Sequence, residues 1–221
     1  MASSTPHLLL HNYFRSSSAY RVRIALGLKG LPFRYLPVHL NRDGGEQFQP
    51  AFSRRNPQQL VPVLSDGPLD VSQSLAIIEY LDEVYPSVPL LPATARGRAR
   101  VRQLSLAMAC DIHPLNNLRV LKYLAGPLGL DDAARNAWIS HWHGIGLAAL
   151  EADLARDAQR GRYCMGDTPT MADCCLVPQL FAARRFGMDL APFPILQAIE
   201  AACLELSAFQ LAHPARQPDS E

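Results

Sequence analysis

Residues 8–30 read LLLHNYFRSSSAYRVRIALGLKG, and this stretch predicts a strand, a polar turn and a helix in direct succession. The run from Leu8 to Tyr13 is short and apolar, as is typical of a buried strand. Apolar residues then recur at the i, i+3, i+4 spacing of a helix, at Val22, Ala25 and Leu26. Ser16 to Ser18 lie between the two elements, so side-chain oxygens and the first backbone N–H groups of the helix converge on one point.

The following segment continues the alternation of strands and helices. Its second strand is predicted from three alternating apolar positions, Leu36, Val38 and Leu40. Two further apolar runs, 61–64 and 69–71, flank an Asp-Gly turn signal and predict a hairpin. A helix is predicted over 72–85, with Leu75, Ile78 and Leu81 facing inward. The resulting order is βαβ followed by ββα.

A proline-punctuated stretch, residues 85–92, separates this segment from a second half that is helical throughout. Two apolar stripes mark long helices, one at Val101, Leu104, Met108 and Ile112, the other at Trp138, Trp142, Ile145 and Ala149. Thr170 and Asp173 form a Thr-x-x-Asp helix start. A last helix is predicted over 195–209, and we expect the polar tail after Ala215 to be loosely held.

Composition excludes several classes of protein. The 21 Lys and Arg residues balance 20 Asp and Glu, so a net charge of +1 supplies no field for a nucleic acid backbone or an anionic membrane. No apolar run approaches the ~20 residues that cross a bilayer, and the N-terminus lacks a signal-peptide core. Five cysteines without a CxxC pair argue against a disulfide framework and a zinc ribbon. These three observations together predict a cytoplasmic protein. His141 and His143 face different sides of their helix, so we expect no metal site.

Three short motifs bring polar groups to the ends of helices and strands. The hydroxyls of Ser16–Ser18 suit an anion, although a single serine capping the helix explains the same pattern. Pro62 stands at the entrance to a strand, either after a cis Val61–Pro62 peptide bond or as an ordinary edge residue. Gln73 and Ser74 open the next helix with an amide and a hydroxyl that suit a carboxylate.

In this order and on this scaffold, the chain resembles the cytosolic glutathione transferases, and most of all their zeta class, which includes maleylacetoacetate and maleylpyruvate isomerases. The segments that carry the resemblance are RSSSAYRVRIALGLKG at 15–30, NPQQLVPVL at 56–64, QSLAIIEYLDE at 73–83, DIHPLNNLRVL at 111–121 and GDTPTMADCCLVPQ at 166–179. The resemblance implies an α/β thioredoxin-like N-terminal domain over residues 1–86, a linker over 87–95 and an all-α C-terminal helical domain over 96–221. The first domain is expected to bind glutathione and the second to supply the pocket for the other substrate.

The resemblance also implies a set of site residues. Ser16 matches the position that donates a hydrogen bond to the glutathione sulfur, with Ser17 and Ser18 beside it as further catalytic positions. The expected glutathione-binding residues are His39, Gln58, Val61, Pro62 (expected cis), Gln73, Ser74, His113 and Asn117. Arg185, from the resemblance, and Arg15, from its place beside Ser16, are the expected ligands of two substrate carboxylates, holding a dianion between them. The commonest zeta motif is Ser-Ser-Cys, whereas Ser18 occupies the third position here, so no thiol is available at that point.

The serine hydroxyls at the start of the predicted helix are suited to stabilising a thiolate. A free thiol has a pKa of ~8.5, and hydrogen bonds together with a helix N-terminus lower that pKa toward neutrality. The family reaction adds the thiolate to a cis double bond, lets the resulting single bond rotate, and expels the thiolate. We therefore expect glutathione as a cofactor and isomerisation of maleylacetoacetate to fumarylacetoacetate in aromatic catabolism. The alternatives are maleylpyruvate isomerisation, conjugation or dehalogenation of small electrophiles, and a binding module without catalysis.

The helical half contains two polar features with more than one interpretation. His113 precedes Pro114, so it is either a buried histidine at a helix kink or a group that lines the pocket. Arg184 and Arg185 precede Phe186 and are typical of a solvated helix end, whereas the resemblance favours Arg185 as a carboxylate ligand. The resemblance also implies a homodimer.

Overall fold

A computed structural model describes residues 7–221, which form two compact units. The first combines the described part of Met1–Leu90 with Glu205–Glu221, and the second is Leu91–Leu204. In chain order the elements are β1 (Leu8–Asn12), α1 (Ser17–Leu28), β2 (Phe33–Pro37), α2 (Pro50–Ser53), β3 (Val63–Asp66), β4 (Leu69–Ser72), α3 (Ser74–Val84), α4 (Ala95–Leu106), α5 (Leu118–Ala125), α6 (Asp132–Ala155), α7 (Met171–Arg185), α8 (Pro194–Leu204) and α9 (Ser207–Ala212).

The first unit is built on a four-stranded sheet with the order β2-β1-β3-β4. β1 pairs in parallel with β2 and antiparallel with β3, and β3 and β4 form the predicted hairpin. Asp66 pairs with Leu69, so the turn is confined to Gly67 and Pro68, where the prediction allowed four residues. β2 ends at Pro37, and Leu40 does not continue it. The Val38 N–H instead binds the Asn12 carbonyl, and the chain then turns into short 3-10 helices.

α3 begins two residues later than predicted. Ser72 still belongs to β4, where it pairs with Val63, and Gln73 takes a positive φ of 71° between strand and helix. The inward face of α3 is centred on Ile77, Ile78 and Leu81, each 0 % exposed. Leu75, predicted to face inward, is only half-buried because the buried stripe begins one position earlier, at Ser74.

The end of the chain returns to the first unit, whereas the sequence assigns residues 205–221 to the helical domain. The predicted helix over 195–209 is two helices, α8 and α9, and α9 packs on α1. The two helices approach closely at Gly27, where an added β-carbon would lie 3.2 Å from the Ala208 β-carbon. This close approach is possible because residue 27 has no side chain.

The second unit is helical as predicted. The stripe on α4 and the turns after it is buried, with exposures of 0 to 2 % at Val101, Leu104, Met108 and Ile112. α4 passes into a π-helical segment, Ala107–Ile112, and then a 3-10 helix, His113–Asn116, which places the irregular backbone at Pro114 as its missing N–H requires. Thr170 and Asp173 form the predicted capping box at the start of α7.

The predicted stripe on α6 is wrong. Ile145 is 54 % exposed and Ala149 is also exposed, while Trp138 and Trp142 are half-buried. The buried face carries Ile139, His143, Leu147, Leu150 and Leu154. Because the polar His143 lies at its centre, apolar periodicity did not predict this face. Over residues 7–221, none of the helices combines the length and apolar character that a bilayer crossing requires.

Candidate active site

Ser16 lies between β1 and α1 as the N-cap residue of the helix. Its backbone is extended (φ −67°, ψ 117°), and its Oγ accepts the Ala19 N–H at 3.2 Å. Ser16 therefore does cap the helix, but the capping hydrogen bond uses only a lone pair of Oγ. The hydroxyl hydrogen is still available for a ligand, and Ser17 and Ser18 present the first backbone N–H groups of α1 at the same point. All three serines are half-buried.

The loop before β3 presents the backbone of Val61. Asn56 is 4 % exposed and shapes the loop, because its Nδ2 donates to the Leu60 carbonyl at 2.7 Å and its Oδ1 accepts the Gln58 N–H at 3.1 Å. The Val61–Pro62 peptide bond is cis, as expected from the resemblance. Pairing of β3 begins at residue 63, so the Val61 backbone lies outside the strand ladder.

The start of α3 combines a helix N-terminus with a buried cation. Ser74 is 6 % exposed, and its Oγ accepts a hydrogen bond from Arg21 Nη1 at 3.2 Å. Arg21 comes from α1 and is 1 % exposed. The positive end of the α3 dipole and a buried guanidinium therefore act on the same position, which favours a carboxylate there.

Gln73 and Gln58 contact each other at the surface, with Gln73 Nε2 donating to Gln58 Oε1 at 2.9 Å. The resemblance assigns Gln73 to the γ-glutamyl end of glutathione and Gln58 to the glycyl end. The contact places the Gln58 side chain beside Gln73. Gln73, at positive φ, therefore presents its amide to the same neighbourhood as Ser74.

A second carboxylate-binding position lies at Arg15 and His39. The Nδ1 of His39 accepts the backbone N–H groups of Asn41 (3.2 Å) and Arg42 (2.7 Å), so the ring proton is on Nε2. That Nε2 donates to Glu221 Oε1 at 2.8 Å, and Arg15 Nη2 lies 3.7 Å from Glu221 Oε2. One carboxylate of the chain itself is thus held by the two side chains.

The second unit contains the three remaining predicted residues. His113 begins the 3-10 helix at the kink and is half-buried. Asn117 is the N-cap residue of α5, and its Oδ1 accepts the Arg119 N–H at 3.1 Å. Arg185 is exposed in the last turn of α7, with its guanidinium carbon 4.5 Å from the centre of the Phe186 ring. The structure gives Asn117 a capping role that the sequence did not predict.

The sequence missed two buried arginines that support the site. Besides Arg21, Arg23 is 2 % exposed and donates to the carbonyls of Tyr13 (3.4 Å) and Phe14 (2.9 Å), in the turn that leads to Ser16. Burial lowers the pKa of Arg23 to about 10, which still leaves it charged at neutral pH. The only signal in the sequence was an arginine pair inside an otherwise apolar helix, which is more often a solvated edge.

Three buried cysteines of the second unit are poor nucleophiles. Burial raises the pKa of the thiols of Cys164, Cys174 and Cys203, so all three are protonated at neutral pH. Among the residues that the structure describes, no cluster of His, Cys, Asp or Glu has the arrangement of a metal site. All five cysteines of the sequence lie in the second unit, whereas Ser16 lies in the first.

Comparisons with known proteins agree with this architecture. The model of the glutathione S-transferase N-terminal domain matches residues 10–89, and that of the C-terminal domain matches residues 132–202. The chain is 55 % identical to the maleylpyruvate isomerase of a Ralstonia species, with 96 % of this chain and 99 % of the relative covered. It is 48 % identical to the maleylacetoacetate isomerase of Pseudomonas aeruginosa, with coverages of 96 % and 98 %.

Solved structures extend the similarity to the whole fold. The holo structure of a maleylpyruvate isomerase, described as a bacterial glutathione S-transferase of the zeta class, superposes with a TM-score of 0.93 at 54 % identity, covering 96 % of this chain and 100 % of the other. A maleylacetoacetate isomerase from Methylobacterium extorquens, crystallised with malonate and glutathione, gives a TM-score of 0.92 at 40 % identity, with coverages of 96 % and 99 %.

Proposed function

The chain belongs to the zeta class of the glutathione S-transferase family, and on this premise we propose that it is a glutathione-dependent cis–trans isomerase of maleyl diketo acids. The observation that carries the proposal is the placement, on one α/β unit, of a serine hydroxyl at the start of α1, the cis Val61–Pro62 bond and a buried cation beneath the start of α3. Maleylacetoacetate is the proposed substrate, and maleylpyruvate is the alternative that shares its cis enone and two carboxylates.

The residues of the first unit fit glutathione. Its γ-glutamyl carboxylate suits Ser74, where the α3 N-terminus and Arg21 supply positive charge, with the amides of Gln73 and Gln58 alongside. The backbone of Val61 lies outside the sheet ladder and is available to pair with the cysteinyl part. His39 donates from Nε2 to a carboxylate, which suits the glycyl end. His113 and Asn117 are proposed as further glutathione-binding residues of the second unit.

Ser16 is the proposed catalytic residue. Bound glutathione supplies a thiolate that adds reversibly to the double bond of the substrate. The Ser16 hydroxyl keeps a hydrogen to donate to the sulfur while Oγ accepts from Ala19, and the first N–H groups of α1, at Ser17 and Ser18, add positive potential. These groups lower the pKa of the thiol and hold it where it reacts. Ser18 contributes a hydroxyl rather than a thiol to this group.

Two arginines are proposed to bind the substrate carboxylates, Arg15 in the first unit and Arg185 in the second. A planar guanidinium engages a carboxylate through two parallel hydrogen bonds, which fixes its orientation as well as its charge. Arg15 already lies near a carboxylate, that of Glu221. Exposed at the end of α7, Arg185 is accessible to a ligand.

Turnover with little glutathione tests the proposal. Maleylacetoacetate and maleylpyruvate are incubated in parallel with the protein and substoichiometric glutathione, and the vinyl protons are followed by NMR. We expect the cis isomer to become trans completely, with glutathione unchanged at the end. Consumption of one glutathione per substrate establishes conjugation instead, and no reaction with either substrate, despite binding of glutathione in calorimetry, favours a binding module.

Substitution of Ser16 tests its role separately from its capping bond. Ser16→Ala is expected to lower kcat about tenfold or more at saturating glutathione, since a hydrogen bond to a charged group contributes ~1.5–3 kcal/mol. Thr94→Ala is the matched control, because Thr94 Oγ1 caps α4 by accepting the Gly97 N–H at 3.1 Å. Both variants lose a cap worth about 1 kcal/mol of stability. Equal turnover in the two variants contradicts the catalytic role.

We further propose that the protein is a cytoplasmic homodimer. This proposal rests on the family to which the chain belongs. Light scattering at micromolar concentration is expected to give twice the mass of one chain. A monomeric mass contradicts the dimer, and recovery of the protein in a membrane fraction contradicts the location.

A further inference from the structure

The polar end of the chain is held in place, contrary to the expectation that it is loose. Pro214 and Gln217 are buried, and Gln217 Nε2 donates to the carbonyls of Leu211 (2.8 Å) and His213 (2.9 Å). These bonds fix the chain as it leaves α9 and direct residues 217–221 across the first unit. The sequence prediction failed because it judged the segment by composition, whereas a few specific bonds hold it.

Asp219 connects this segment to the turn that carries Ser16. Its Oδ2 accepts the Phe14 N–H at 3.2 Å, and its Oδ1 accepts the hydroxyl of Tyr35 in β2. Burial and the hydrogen bond to Asp219 raise the pKa of Tyr35, so the phenol stays protonated and acts as the donor. Phe14 lies two residues before Ser16, and the Ser16 N–H binds the Tyr13 carbonyl at 3.0 Å. The carboxylate therefore holds the tight turn that leads into the N-cap.

Arg23 binds the carbonyl groups of the same turn. Its guanidinium donates to the carbonyls of Tyr13 and Phe14, and also to the Ala212 carbonyl at the end of α9 at 3.1 Å. The carbonyl oxygens of the turn are thus held by a cation, and the Phe14 N–H is held by an anion. Both groups are tied to the C-terminal part of the chain, Arg23 by its bond to Ala212 and Asp219 by its position in the sequence.

This arrangement determines where the Ser16 hydroxyl lies. The turn lies outside the sheet ladder, with Tyr13 and Phe14 buried and Arg15 and Ser16 half-buried, and a displacement of about 1 Å at a reacting group is enough to reduce a rate by ~10²-fold. Removing Asp219 leaves the Phe14 N–H without its acceptor and removes a carboxylate that acts electrostatically on Arg23. The carbonyl contacts of Arg23 remain, so the turn is expected to shift rather than unfold.

We propose that Asp219 is a positioning residue for Ser16, and that the segment Gln217–Glu221 is a working part of the glutathione-binding unit. The proposal rests on the proposed function, because the hydroxyl that is positioned is the one assigned to the glutathione sulfur. It gives a role in that function to Gln217–Glu221, a segment that belongs to none of the sequence motifs on which the proposed function rests. Asp219 acts on the sulfur only through the turn, and it touches neither glutathione nor substrate.

The test compares Asp219→Ala with wild type and with Asp189→Ala. Asp189 is a matched control, because its Oδ1 accepts the Ala191 N–H at 2.9 Å on the exposed surface of the second unit. For each protein, calorimetry gives the Kd of glutathione, and the ultraviolet absorbance of the saturated complex at neutral pH gives the fraction of bound glutathione that is thiolate. Hydrogen exchange reports the amides of residues 14–19 without ligand.

We expect Asp219→Ala to lose most of the thiolate absorbance and to lower kcat about tenfold, the effect of weakening one hydrogen bond to a charged group. The Kd of glutathione is expected to change less than about threefold, because the carboxylate position at Ser74 is untouched. Exchange at residues 14–19 is expected to accelerate. Unchanged thiolate absorbance, a parallel loss of affinity, or the same losses in Asp189→Ala overturns the proposal.

If Asp219→Ala does not fold, Tyr35→Phe is the variant that tests the proposal. It removes the phenol that holds Asp219 and leaves the carboxylate and the turn in place, so an intermediate loss of thiolate absorbance is expected. No loss of thiolate absorbance in this variant overturns the positioning role of Asp219. Thiolate absorbance needs no substrate, so a wild type that binds glutathione as thiolate but does not isomerise refutes the proposed function alone.

Discussion

Replacing Ser74 by alanine is expected to weaken the binding of glutathione without changing turnover at saturation. The Ser74 hydroxyl lies at the start of the 11-residue helix α3 and is 6 % exposed, so water compensates poorly for its loss. A hydrogen bond from a hydroxyl to a carboxylate contributes ~1.5–3 kcal/mol, which corresponds to about a 10- to 150-fold increase in Kd. The helix dipole and Arg21 remain, so binding is weakened and not abolished.

The assay is calorimetric titration with glutathione, combined with kcat at saturating glutathione. Ser53→Ala is the matched control, since Ser53 is a half-buried serine of the same unit, at the end of α2. Ser74→Thr keeps the hydroxyl and is expected to retain most of the affinity. Arg21 loses its 3.2 Å acceptor in the alanine variant, so a stability loss of about 1–3 kcal/mol is also expected in urea unfolding.

Two results refute this reasoning. If the Kd of glutathione in Ser74→Ala stays within about twofold of the Ser53→Ala value, the hydroxyl does not bind the carboxylate. If kcat falls while Kd holds, Ser74 acts on the reacting end of glutathione, and the assignment of α3 to the γ-glutamyl carboxylate is wrong.

Three further predictions concern the second unit. Burial lowers the pKa of His143 below its unfolded value of about 6.5, so unfolding takes up a proton and the free energy of unfolding falls as the pH drops from about 7 to 5. In His143→Gln this dependence of the unfolding free energy on pH is expected to be weaker than in wild type. An equal dependence in the two proteins contradicts the prediction. Gly146→Ala is expected to destabilise by about 1–3 kcal/mol in urea, because its β-carbon would lie 2.3 Å from Ile112 Cγ1. Gly144→Ala, whose nearest contact is 3.5 Å away, is expected to gain up to ~1 kcal/mol, and similar values for the two contradict the packing argument. Arg185→Lys is expected to raise the KM of the dicarboxylate several-fold and spare conjugation of a neutral electrophile, and parallel losses contradict the carboxylate role.

The features that the sequence predicted are those with local causes. The strand, the Ser16 turn and α1 follow from periodicity and helix-start chemistry within 20 neighbouring residues, and the Thr170–Asp173 capping box follows from a four-residue pattern. The cis Val61–Pro62 bond and the family were predicted from motifs and their order, and both are confirmed. In each case the interacting groups are close in sequence or form a fixed motif.

The features that the sequence did not predict depend on distant partners. The inward face of α6 includes His143, whose Nδ1 contacts the Ile139 carbonyl at 3.0 Å and Asn116 Nδ2 at 2.9 Å, so a polar residue occupies a core position. Periodicity of apolar residues shifts the stripe onto the neighbouring tryptophans for this reason. The return of the C-terminal segment depends on Asp219 finding Phe14, 205 residues away, and no local pattern encodes that pairing.

The two buried arginines of α1 explain how one helix serves both ends of the proposed glutathione site. Arg21 and Arg23 are two residues apart, so their side chains leave the helix about 200° apart. Arg21 reaches Ser74 at the start of α3, the carboxylate end, and Arg23 reaches the carbonyls before Ser16, the thiol end. Each guanidinium is buried and donates to an acceptor at its own end of the site, and a lysine has neither the reach of five N–H donors nor their planar geometry. Arg21 and Arg23, which the sequence alone assigns to the surface, are therefore the residues that connect α1 to the start of α3 and to the turn before Ser16.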